Sequence, residues 1–196
     1  MSSVIEICNM ALGKAGITDT ITNIDTEQSV EALWCKVNYP IARDSVLRDF
    51  PWRFATKTIS LGALAEKRQD GKNVFLYPSD CLNILTVANG SIQNFEIELI
   101  GVGDNMRKVI ITSSSQAEIK YIARVTDPNL FDPLFIVALS WYIASDLALS
   151  VGGNKEGRSQ LAMQQYEHSK AKAQRASVAE ARENPYASDE FMKARG

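Results

Sequence analysis

The stretch Gln116-Ala117-Glu118-Ile119-Lys120-Tyr121-Ile122-Ala123-Arg124-Val125 decides how the rest of the chain is read. Ala117, Ile119, Tyr121, Ala123 and Val125 alternate with Glu118, Lys120, Ile122 and Arg124. That two-residue period is the signature of a one-sided antiparallel strand. Shortly after it, Asp132-Pro133 supplies a helix N-cap and a first-turn proline. The apolar residues that follow, Leu134, Val137, Ala138, Trp141, Ala144, Ala148 and Val151, recur at helical spacing. The chain therefore leaves a sheet and enters a helix at this boundary.

Towards the N-terminus the same change of period runs in reverse at Pro51. Between Trp52 and Val125, strand-like runs cover Phe75 to Tyr77, Leu82 to Ala88, Phe95 to Ile100 and Lys108 to Thr112. Asn89-Gly90 and Gly103-Asp104-Asn105 have hairpin-turn chemistry, and Lys67 to Asn73 reads as a polar loop. Before Pro51 lie two helices. The first carries Ile5, Cys8, Leu12 and Ala15, with Ser2 or Ser3 as cap and Gly16 as stop. The second follows Asp25 and Gln28, which resemble a capping box. It runs through Val30, Leu33, Trp34, Val37, Ile41, Val46 and Leu47, with a kink expected at Pro40.

Towards the C-terminus, Gly152-Gly153 closes the third helix and Asn154 can cap a fourth, running to about Glu183. At 1.5 Å per residue that helix is ~45 Å long. It is alanine-rich and weakly apolar, so one face is expected to meet something outside the monomer. The predicted fold is mainly α: a four-helix core with helices at about 3–16, 26–50, 133–151 and 155–183. An antiparallel β region is inserted at about 56–126, and a tail follows at 184–196. Trp34 and Trp141 are expected in the core.

Composition sets limits on function. The 196 residues carry 21 Lys and Arg against 23 Asp and Glu, a net charge of −2. Such a balance excludes a basic nucleic-acid binder of the usual kind and an acidic disordered chain. Cys8, Cys35 and Cys81 are far apart, odd in number and without a CxxC pair, as expected of reduced, buried thiols. The single histidine, His168, excludes a zinc site built on several imidazoles within one chain. Met1 to Ala11 has no basic n-region, so no signal peptide is expected. Leu134 to Val151 is interrupted by Ser140, Ser145, Asp146 and Ser150, and reads as a buried helix rather than a membrane span.

No catalytic constellation, metal site or cofactor motif is legible. Glu96 with Glu98, and Asp44 with Asp49, are possible carboxylate pairs; solvated surfaces are the simpler reading. Ser79-Asp80 with His168 lacks the GxSxG elbow of a nucleophilic serine. Gly101-Val102-Gly103 lies between strands and reads as a hairpin rather than a phosphate loop. Lys170, Lys172 and Arg175 form a short basic run on the last helix. Phe50, Trp52 and Phe54 around Pro51 are dense enough to plug the bottom of a helical core; the alternative is an exposed aromatic interface.

These residues also carry a family resemblance. Arg43-Asp44-Ser45-Val46-Leu47, leading into Asp49-Phe50-Pro51-Trp52-Arg53-Phe54-Ala55, resembles the end of the second helix in phage head-to-tail adaptors, the tail tubular protein A family of short-tailed phages. Tyr77-Pro78-Ser79-Asp80-Cys81-Leu82 is similar to that family's turn into its sheet. So are Tyr121-Ile122, Asp127-Pro128 and Phe131-Asp132-Pro133-Leu134-Phe135, which lead into a helix through Ala138-Leu139, Tyr142-Ile143-Ala144 and Leu147-Ala148. The resemblance implies a structural virion protein, resident in the neck and present in host cytoplasm during assembly. It implies a ring, commonly of twelve copies, that binds beneath the portal, extends the channel for passing genomic DNA and carries the tail nozzle and tail fibres. No membrane partner is expected, and without a catalytic constellation no enzyme activity is expected. In the tail, Tyr186, Phe191 and Met192 are then anchors for the portal, with Lys193 and Arg195 as peripheral charges. Residues alone leave a second reading, a tail-associated cell-wall hydrolase using Glu96, Glu98 or Asp80.

Overall fold

The computed structural model describes residues 3–68, 70–87, 95–101, 105–151, 153 and 156–180. The first helix, α1, is Val4–Ala15. Ser3 Oγ accepts the Glu6 N–H at 3.1 Å while Glu6 Oε2 accepts the Ser3 N–H at 2.8 Å, a reciprocal cap. Gly16 ends α1 at φ 75°, a left-handed position that favours glycine. It also makes room: a Cβ there would sit 1.3 Å from Arg158 Nη1.

The second helix, α2, is Val30–Asp49 and continues through Pro40. It starts later than the expected residue 26 because Ser29, not the Asp25–Gln28 pair, caps it by accepting the Ala32 N–H at 3.2 Å. Its buried face is Ala32, Cys35, Tyr39, Ala42, Val46 and Leu47. Val30, Leu33, Val37 and Ile41 are exposed. The inner face thus packs on the core, and a second aliphatic stripe is left outside.

Helix α3, Pro133–Ser150, is capped by Asp132, whose Oδ1 accepts from the Leu134 and Phe135 N–H groups. It lies at the centre of the helical body, against α1, α2 and α4, where α4 is Glu156–Glu180. Among the described residues α3 is the one helix long and apolar enough to cross a membrane. Here its Phe135, Leu139, Ile143 and Leu147 are fully buried in the protein's own core.

Seven strands lie between α2 and α3 among the described residues: β1 Thr56–Leu61, β2 Ala63–Lys67, β3 Asn73–Leu76, β4 Cys81–Val87, β5 Glu96–Ile100, β6 Arg107–Thr112 and β7 Ala117–Ala123. They form two antiparallel sheets, ordered β1-β7-β4 and β2-β3-β6-β5. Phe75 and Ile110 of the larger sheet pack with Ile84, Val87, Ile119 and Tyr121 of the smaller, a hydrophobic core separate from that of the helices. On the other side of β7, Ile122 joins the helical core. The strand is thus buried on both faces at its end, not one-sided throughout, and it couples the helices to the sheets.

The expected class needs correcting. The fold is mixed α/β, with 51% helix and 23% strand, not a mainly α four-helix core. The physical reason is that the strands are more than a decoration on helices: two stacked sheets bury their own core. The segment from Lys67 to Asn73, expected as loop, begins within β2 and ends within β3. Ala63-Leu64-Ala65-Glu66-Lys67 has helix-forming composition and becomes a strand through pairing with β3. Trp34 and Trp141 are half-buried at the core margin rather than inside it; Trp52 is the fully buried tryptophan.

Candidate functional site

The residues that carry the family resemblance meet where the helices join the sheets. After α2, Phe50 turns the chain into extended backbone, as expected of a residue before proline. Trp52, 2% exposed, donates from Nε1 to the Val46 carbonyl at 2.9 Å. It meets Phe50 and Phe135 edge-on, with ring centroids 5.1 and 5.2 Å apart. Phe54 contacts Phe135 and Phe131 at 5.0 and 5.9 Å. Phe50 and Phe54 are half-buried against the core and Pro51 is exposed. The aromatic cluster therefore fills the joint. Trp141 sits elsewhere, on α3, with Lys14 Nζ 4.5 Å from its ring centroid.

Charged side chains brace the same joint. Asp44 accepts from Arg43 Nη2 at 2.7 Å and from Arg124 Nε, beyond β7, at 2.6 Å. Asp49 accepts from Lys170 Nζ at 2.7 Å and Tyr166 Oη at 2.9 Å, both on α4. The Lys170 hydrogen bond is the largest influence holding the Asp49 carboxyl below its ordinary range. The Asp44–Asp49 pair is thus not brought together as one acid–base unit; each carboxylate has its own partners.

The carboxylates named for a hydrolase are engaged in the same way. Glu98 accepts from Arg68 Nη1 at 2.6 Å, and Glu96 accepts from Lys72 Nζ at 2.7 Å. Lys72 lowers the Glu96 pKa, whereas a general acid needs a raised one. Asp80 takes a 2.8 Å hydrogen bond from Lys57 and one of 3.1 Å from Tyr121. Burial raises its pKa, but these bonds outweigh it and the carboxyl is lowered. His168 lies exposed on α4, and Asp80 is held by Lys57 and Tyr121 instead.

A cleft of about 750 Å³ opens near Asp80, lined by Ile59, Leu61, Tyr77, Cys81 and Lys108 among others. Burial pushes the Cys81 thiol up, away from the thiolate form a nucleophile needs. Lys108 Nζ sits 3.9 Å from the centroid of the Tyr77 ring. Cys8 and Cys35 are buried, on α1 and α2. Among the described residues, no group of three or more His, Cys, Asp or Glu side chains is placed to hold a metal ion.

The feature that sequence reasoning missed is the outer surface of α2. Val30, Leu33, Val37 and Ile41 are 64%, 46%, 64% and 63% exposed and follow one another along one face. The signal was present: this helix has apolar residues on opposite sides, and only one side can face its own core. The tail residues Tyr186, Phe191, Met192, Lys193 and Arg195 lie outside the described residues, as do the turns at Asn89-Gly90 and Gly103-Asp104. No family model matches the sequence, and no curated protein matches it significantly.

Proposed function

We propose that this chain is a structural virion protein, a head-to-tail adaptor whose copies form a ring beneath a phage portal. The ring extends the DNA channel and joins the capsid to the tail nozzle and fibres. One observation carries the reading beyond the family resemblance: α2 is apolar on two opposite faces, one in the core and one in solvent. A helix with a second apolar face has a second surface to bury, and a contiguous exposed aliphatic row marks an assembly contact. Supporting it, Glu98, Glu96, Asp44 and Asp49 are engaged in ion pairs. A net charge of −2 also suits a channel wall that DNA slides past without sticking.

In this reading the tail, 184–196, docks on the portal through Tyr186, Phe191 and Met192, with Lys193 and Arg195 at the rim. The reading is tested by labelling virions with an antibody to this chain and imaging them by electron microscopy. Label at the neck, between capsid and tail, is the expected result. Label confined to capsid or fibre tips, or virions lacking the chain, would overturn it.

A further inference from the structure

Two unlike apolar surfaces lie on this chain, and their rims carry opposite charge. The first is the outer row of α2, Val30, Leu33, Val37 and Ile41. Asp25, Glu27 and Glu31 surround its N-terminal end against one cation, Lys36, which is 3.5 Å from Asp25. The second is a groove beside the last residue of α2, lined by Phe50 and, from α4, by Ala171, Gln174, Val178 and Ala179. Arg175 lines the same groove, Lys172 stands exposed on the same helix, and Val178 is 53% exposed. The acids at this edge, Asp49 and Glu167, are both held by Lys170, which leaves Arg175 and Lys172 as the cations of the rim. The row occupies the first turns of α2 and the groove adjoins its end, so the two surfaces are distinct.

We infer that the α2 row of one copy of this chain seats in the Phe50–α4 groove of a second copy, which deepens the ring reading above and rests on it. The charge complementarity selects this occupant: an acid-rimmed apolar row meets a base-rimmed apolar groove. Row against groove sets Glu31 beside Lys172 and Arg175 of the second copy. A contact between unlike surfaces is heterologous, and repeating it gives a closed ring or an open filament, never a closed dimer. The contact is small. A helix the length of α2 is ~30 Å long, and one such seam falls short of the ~800 Å² per partner of a standard interface. A single pair is therefore weak, and closure or a portal platform holds the ring.

Val37→Asp and Val178→Asp test this, because each alters an exposed side chain; circular dichroism checks that both variants fold. Native mass spectrometry and light scattering follow them up to millimolar concentration. Wild type should self-associate beyond a dimer as concentration rises. Each variant alone should remain a monomer, and the mixture should give a heterodimer that grows no further, since each supplies the surface the other lacks. Glu31→Lys and Arg175→Glu should each weaken association at low salt, and the two changes in one chain should restore it.

A Val178→Asp variant that dimerises alone would indicate α2 packed on α2 and overturn the inference. So would a Val37→Asp variant that assembles like wild type, or a wild-type chain that stays monomeric at millimolar concentration. The two readings separate on a portal ring. If Val37→Asp loads onto it undiminished, the adaptor reading stands and this contact falls. If wild type self-associates as described but never loads, the contact stands and the adaptor reading falls.

Discussion

Arg124 Nε donates to Asp44 Oδ2 at 2.6 Å, and this bond ties the second helix to the chain just beyond the seventh strand. The two residues are 80 positions apart in sequence, so the contact exists only when helices and sheets are docked. Asp44 also holds Arg43, so its loss leaves the nearly buried Arg43 guanidinium without this carboxylate. Asp44→Asn is expected to cost ~1–2 kcal/mol, and Arg124→Met about 1 kcal/mol, because Arg124 is partly screened by solvent. A double-mutant cycle in urea should show coupling between the two; strict additivity would mean that the bond contributes nothing to docking.

Trp52 and Trp141 should behave differently. Trp52 is enclosed by Phe50, Phe54 and Phe135, and Trp52→Ala is expected to cost ~3–5 kcal/mol. Trp52→Phe keeps most of the packing but loses the indole hydrogen bond to the Val46 carbonyl, at about 1 kcal/mol. Trp141 is only partly buried, and Trp141→Ala is expected to cost only ~1–2 kcal/mol. Denaturant midpoints of the three variants give the ranking; equal losses for Trp52→Ala and Trp141→Ala would contradict the burial assigned to them.

The contrast between these tryptophans shows what could be read from the residues. Asp132-Pro133 and the alternation from Ala117 to Ala123 specify their elements locally, because a cap and a two-residue period need only neighbours in sequence. Leu33, Val37 and Ile41 are equally apolar, yet their side of α2 faces out. Periodicity identifies a stripe and cannot say which of two opposite stripes meets the core; that depends on α3, far along the chain. Ala63 to Lys67 had no local strand signal at all, since its conformation comes from pairing with β3. The alternation places Ile122 on the polar side of its strand because it counts one face, while both faces of β7 are covered at that end. The joint around Trp52 was legible as an aromatic cluster, but its ion-pair braces depend on Arg124 and Lys170, which no local spacing links to Asp44 or Asp49.

Tyr39 Oη is buried and has no hydrogen-bond partner among the described residues. A buried hydroxyl without a partner opposes folding, so removing it costs little and restores the lost desolvation. Tyr39→Phe is expected to leave stability unchanged or raise it by about 1 kcal/mol. Thermal melts at matched pH decide this; a loss of more than about 1 kcal/mol would mean that the hydroxyl makes a contact in solution.

Lys14 gives a pH signature. It donates to the Val137 carbonyl at 3.2 Å and to Ser140 Oγ, and burial lowers its pKa from 10.5 to about 8. Between about pH 8 and 10.5 the unfolded chain therefore holds more protons at this site than the folded chain. Stability should rise with pH across that window through this group, and its penalty should be fully present below pH 8. Lys14→Met should abolish that contribution. Tyrosines and cysteines titrate in the same range in both proteins, so the difference between the two melting profiles isolates Lys14. Parallel profiles would contradict the shifted lysine.

The proposed adaptor role stands or falls on the mass of the complex formed when the wild-type chain is mixed with the isolated portal ring encoded with it. Native mass spectrometry of that mixture should show a closed set of copies, commensurate with the portal and commonly twelve, bound as a ring, with few partly loaded species. A portal ring that keeps its own mass at micromolar excess of this chain, while the chain remains free, would contradict the account.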